Sequence, residues 1–113
     1  MSECFLCKWH HDSPQDPIVL CEELDDERYD TRRLRIFADG RCEYYGSRRP
    51  GGSLEAATHP VPELKEIDAE EEFDLLAVSA NQFESLWKAA IADDNAKEVL
   101  WIALALFDAK TGG

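Results

Sequence analysis

Residues 32–45 can fold back on themselves in only one register that keeps apolar and polar faces apart, so they are expected to form a β-hairpin. The reversal contains Asp39-Gly40. A two-residue Asp-Gly turn would set Ile36 opposite Glu43 and mix the faces. A three-residue loop, Ala38-Asp39-Gly40 with Gly40 in the left-handed conformation, sets Leu34 opposite Tyr44 and Ile36 opposite Cys42. It also sets Arg35 opposite Glu43 on the outer face. The second register is the expected one.

Other elements fall around this hairpin. Phe5, Cys7 and Trp9 alternate imperfectly through residues 3–11, which predicts a first strand ending at His10-His11-Asp12. Two prolines in 12–17 mark a turn. Residues 18–24 are a second strand, followed by a polar connection over 25–30. Three glycines and two prolines make 46–61 a long loop, the kind of segment that often carries function. Pro62 can open a short helix through Asp68, and 73–78 fit another strand. Ser79 and Gln82 form a capping box. Phe83, Leu86, Trp87, Ala90 and Ile91 follow it on one helical face. Asp93-Asp94-Asn95 should end that helix and cap a last one. The expected fold is α+β, one domain over 1–113. Its antiparallel sheet of about four strands is packed by helices at 62–68, 79–91 and 95–108.

The last helix is apolar on nearly every side between Val99 and Phe107. Such a helix is expected to be buried more than one face deep. It is either the central core helix or a surface for a partner, including a homodimer through 99–107.

Charge is the strongest functional signal. Residues 21–30 hold six acids and one arginine, and residues 63–74 hold seven acids and one lysine, out of a net charge of −12. Charge this concentrated repels itself in a compact state and suits the capture of something cationic. Leu24, Tyr29, Leu64, Ile67 and Phe73 are interleaved with these acids, as anchors in a protein interface would be. The acidity argues against nucleic acid as the partner. Arg32, Arg33, Arg35, Arg41, Arg48 and Arg49 form a basic segment, read first as an internal counterweight to the acids. The N-terminal residues lack a secretory pattern, and the longest apolar run, 99–107, is too short for a bilayer span. A cytoplasmic protein without membrane contact is expected.

Catalytic and metal chemistry are less well supported. Cys4-x-x-Cys7-x-x-His10-His11 offers ligand types that suit zinc. In a strand, however, Cys4 and Cys7 project to opposite faces, and the residues between them, Phe5 and Leu6, prefer burial. His10, His11, Asp12 and His59 could supply acid–base groups, but nothing in the sequence brings His59 to the others. The four cysteines are expected to be reduced thiols acting as small apolar residues. No enzyme activity, cofactor or metal is expected.

A resemblance sharpens the binding hypothesis. Trp9-His10-His11-Asp12-Ser13-Pro14 with Asp16-Pro17 follows the pattern W-x-H-D-x-P-x-x-P. Glu23-Leu24-Asp25-Asp26-Glu27-Arg28-Tyr29 follows E-x-D-x-x-R-[YW]. The likeness continues through Arg33-x-x-Ile36-Phe37-x-Asp39-Gly40-Arg41 and Pro60-Val61-Pro62, and ends at Phe83-Glu84-x-Leu86-Trp87. Over about residues 7–90 the chain resembles a small bacterial family of unknown function, with 91–113 as a helical extension. Some members accompany polymorphic toxins, so the resemblance implies an immunity-like role. The expected partner is a cognate toxin domain with a cationic, nucleic-acid-directed active site, occluded by the acidic surface. Glu22, Glu23, Asp25, Asp26, Glu27 and Asp30 are the first candidates for the contact, and Glu70, Glu71, Glu72 and Asp74 the second. The alternatives are a small metal-binding or hydrolytic enzyme using His10, His11 and Asp12, and a dimeric regulatory protein.

Overall fold

The structure, a computed structural model, describes residues 3–46, 54, 58–92 and 96–112. Its strands are β1 (Glu3–Trp9), β2 (Val19–Leu24), β3 (Asp30–Ile36), β4 (Cys42–Gly46) and β5 (Phe73–Val78). Its helices are α1 (Leu64–Asp68), α2 (Ala80–Ile91) and α3 (Ala96–Gly112). The strands form one sheet in the order β4-β3-β2-β1-β5, with every neighbouring pair antiparallel. The fold is α+β, as expected, with five strands where about four were expected. The fourth neighbour relation comes from β5, which returns to the edge of β1 that β2 leaves open and sets Leu6 opposite Leu76.

The hairpin forms in the expected register, with Leu34 opposite Tyr44, Arg35 opposite Glu43 and Ile36 opposite Cys42. Gly40 has φ 91°, the left-handed value that a residue with a Cβ resists. Asp39 Oδ1 accepts the Arg41 backbone N–H at 2.9 Å and closes the loop.

Strand alternation divides the sheet into two faces. On the first, Cys4, Leu6, Val19, Cys21, Leu34 and Ile36 pack under α2 and α3. From above they meet Phe83, Leu86 and Trp87 of α2, and Val99, Leu100, Ala103 and Phe107 of α3. The Ser79 capping box is present: its side chain accepts the Gln82 N–H, and Gln82 Oε1 accepts the Ser79 N–H. α3 departs from expectation. One face is buried, while Trp101 is 69% exposed and Ala105 is also exposed. A helix lying on the outside of a two-layer domain has only one layer to pack against. It also runs to Gly112, past the expected end at 108. The expected break at 93–95 lies outside the described residues.

The second face carries a smaller core of Phe5, Cys7, Leu24 and Leu75. Val61, Leu64, Ile67 and Phe73 cover it. α1 starts at Leu64, two residues later than Pro62 would allow. The reason is Arg28, whose Nε donates to the Val61 carbonyl at 2.8 Å and whose Nη2 donates to the Pro62 carbonyl at 2.7 Å. The Val61 N–H in turn donates to the Arg28 carbonyl at 2.7 Å. These bonds hold 61–62 out of the helix, and Glu63 becomes the N-cap. The expected long loop over 46–61 lies mostly outside the described residues.

Arg32 joins the sheet to α2. Its Nη2 meets Glu23 Oε2 at 2.7 Å and its Nη1 meets Glu84 Oε2 at 3.1 Å. Its guanidinium lies over the rings of Phe83 and Trp87, at 5.0 and 5.2 Å. Removing it leaves the half-buried Glu23 without its counter-charge and opens the ring contacts. Arg32→Ala should therefore cost about 3 kcal/mol in urea unfolding. A loss below about 0.5 kcal/mol, the size of an exposed pair, would contradict this placement.

Candidate functional site

The structure divides the first acidic run into acids used by the fold and acids left outside it. Glu23 is held by Arg32 and by the Thr31 hydroxyl at 2.7 Å, and the hydrogen bonds from Arg32 keep its carboxyl below the usual range. Asp30 is buried and pairs with Arg33 at 2.5 Å. Glu22 is half-buried opposite Arg33. Asp25 folds the β2–β3 turn, since its Oδ1 accepts the N–H groups of Glu27 and Tyr29 at 2.9 and 3.0 Å. Arg28 sits in that turn at φ 69°, a left-handed value unusual for a residue with a side chain. Asp26 and Glu27 are exposed. Arg32 and Arg33 thus act as the expected counterweight.

The second acidic run lies across the second face. α1 leads from the Arg28 turn at one end of the sheet to the Trp9 end, where His10 N–H donates to the Glu72 carbonyl at 2.8 Å. Leu64, Ile67 and Phe73 turn inward onto the smaller core, so they are packing residues of the fold and not the outward anchors expected. Glu66, Asp68, Glu70, Glu71, Glu72 and Asp74 remain exposed. Glu72 accepts from the Trp9 indole N–H at 3.3 Å, and Asp74 meets His10 Nε2 at 2.7 Å. The second run begins beside the β2–β3 turn, where Arg28 Nη1 lies 3.9 Å from Glu63 Oε2, and ends at Trp9 and His10. Burial pushes the Cys7 thiol up to about 12, helped by the charges of Glu22, Asp74, Asp68 and Glu72.

The other candidate chemistries are placed as follows. Cys4 and Cys7 join different cores on opposite faces of the sheet. Burial raises the thiols of Cys4 and Cys42 to about 11 and about 12, and that of Cys21 well above its ordinary value, so all are poor nucleophiles and poor ligands. His11 Nδ1 accepts the Ser13 N–H at 3.0 Å, so its Nε2 carries the proton donated to the Pro17 carbonyl at 2.8 Å. Both ring nitrogens are engaged in shaping the 12–17 turn. Among the described residues, no three His, Cys, Asp or Glu side chains converge as a metal site would require.

Sequence reasoning missed a cavity of about 390 Å³ on the second face, beside the stretch that α1 covers. Glu22, Arg33 and Arg35 line it together with Trp9, Leu20 and the 16–17 turn. The alternation of β2 and β3 already put Glu22 and Arg35 on one face. The missing information was which part of that face α1 would leave open. Burial raises the Glu22 carboxyl to about 7, with Asp30 adding to the shift and Arg33 and Arg35 opposing it.

A family model described as Domain of unknown function (DUF6881) matches residues 4–92. The matched region takes in the five strands except Glu3 at the start of β1, together with α1 and α2, and leaves α3 outside. No curated protein and no solved structure matches the chain. No helix among the described residues is long and apolar enough to cross a membrane.

Glu22 gives a pH prediction. Its folded value is raised above the unfolded one, so the folded state holds an extra proton between about 4.5 and 7. Its contribution is therefore most favourable below that window and is lost as pH rises through it. Glu22→Gln should gain on the order of 2 kcal/mol relative to the parent between pH 4 and pH 8, measured by urea unfolding. An equal difference at both pH values would show that Glu22 is not desolvated.

Proposed function

The chain belongs to this family of unknown function, and we propose that it acts as an immunity protein. In this role it binds a cognate bacterial toxin and covers a cationic, nucleic-acid-directed active site with its acidic face. The observation that carries the reading is the sorting of the two acidic runs by the fold. Their sheet-facing members are neutralised inside the fold, and an exposed set remains around α1 and the β2–β3 turn. Glu27, Glu70 and Glu71 make no side-chain hydrogen bond or ion pair with any described residue, so a cationic partner could engage them without dismantling the fold. Such a surface steers a positive partner at long range, and the rate falls with salt.

The experiment uses the product of the gene adjacent to this one. The two should form a 1:1 complex whose association slows steeply between low and physiological salt. Glu27→Lys with Glu70→Lys and Glu71→Lys should slow association by about tenfold or more and leave the circular dichroism unchanged. Asp25 is not reversed, because its loss would open the turn. Undiminished association and protection of cells by the triple variant would refute the acidic contact.

The exposed Trp101 favours a second reading, self-association through α3. The mass in solution should then be that of a dimer at high salt, where charge repulsion is screened, and Trp101→Glu should return it to a monomer. A monomer at high salt would exclude this reading.

A further inference from the structure

The cavity on the second face holds two opposite charges that the fold itself does not join. Arg35 reaches it from β3, and Asp16 from the turn between β1 and β2. Neither side chain makes a hydrogen bond or ion pair with a described residue, and they do not reach each other within 4.0 Å. Glu43 stands opposite Arg35 in the hairpin register without closing an ion pair. Arg33, by contrast, is matched by Asp30. Apart from Glu22 and Arg33, the rest of the lining is apolar: Trp9 on β1, Leu20 on β2 and the buried Pro17.

We propose that this cavity binds a small zwitterion, an α-amino acid with an apolar side chain, whose carboxylate meets Arg35, whose ammonium meets Asp16 and whose side chain lies against Trp9 and Leu20. The charges select this class. A simple anion would satisfy Arg35 and be repelled by Asp16, and a simple cation would meet the reverse. A neutral apolar molecule would strip water from two charges and replace it with nothing. A planar guanidinium suits a carboxylate because it can bond both oxygens at once. Glu22, on the same wall, holds its proton to about 7 and so leaves the choice of ligand charge to Asp16 and Arg35. The size is also appropriate, because about 390 Å³ lies near the lower end of the ~300–1,000 Å³ typical of small-molecule sites. This inference does not depend on the immunity reading.

Calorimetric titration of the intact protein at pH 6, below the value at which Glu22 loses its proton, tests it. The probes are L-phenylalanine, L-leucine, 3-phenylpropionate, which lacks the ammonium, and 2-phenylethylamine, which lacks the carboxylate. One or both amino acids should bind saturably at 1:1, and the two single-charge analogues of phenylalanine should bind at least about tenfold more weakly than it does. Arg35→Gln and Asp16→Asn should each weaken binding by about tenfold. Asp16 lies outside the strands, so its variant remains informative if the Arg35 change disturbs the sheet. Failure of both amino acids to bind at about 10 mM would overturn the proposal, as would equal binding of phenylalanine and its two analogues or unchanged affinity in the Asp16 variant.

Discussion

The structure depends on the pairing of the acids at the end of β2 and the start of β3 with the arginines of β3. Glu23 and Asp30 belong to the most negative segment of the chain, yet both lie in or beside the sheet. Arg32 and Arg33 make this possible. Each supplies a short, charge-assisted contact to an acid of that segment. Arg32 goes further, clamping Glu84 of α2 and covering two aromatic rings. Arg28 does the same for the second face by bonding the carbonyls that precede α1. Without these arginines, the antiparallel pairing of β2 and β3 would bring carboxylates into a layer that has no water to solvate them.

This pairing decides which acids are available for function. An acidic run looks uniform in sequence, and its members become different once folded. Glu23 and Asp30 are drawn into ion pairs, Asp25 holds a turn, and Glu27 faces solvent. The second run behaves in the same way. Its apolar residues turn toward the smaller core, and its acids turn outward. The outcome is a sheet with one face closed by α2 and α3. The other face is divided between an acidic edge around α1 and an open cavity beside it.

Most of the architecture was legible because it rests on short-range rules. The hairpin register followed from face sorting, and Gly40 adopts the backbone angle that the loop needed. The α2 cap followed from Ser79 and Gln82. The start of α1 was not legible, because Pro62 is a good first helical residue until Arg28, thirty-four positions away, bonds its carbonyl. The exposure of Trp101 was not legible either. Apolar residues all round a helix suggest deep burial, and whether layers exist on both sides is a property of the whole domain. The cavity needed both the strand alternation and the extent of α1. Only the first of these is written locally in the sequence.

The account therefore rests on unlike environments for neighbouring acids, and site-resolved carboxyl titration by NMR measures this directly. Glu23 should titrate below the ordinary glutamate value of 4.5, held down by Arg32, and its neighbour Glu22 should titrate near 7, held up by burial. Two adjacent glutamates titrating together near 4.5 would mean that both are solvated, and that the arginines of β3 do not divide the acidic run as described.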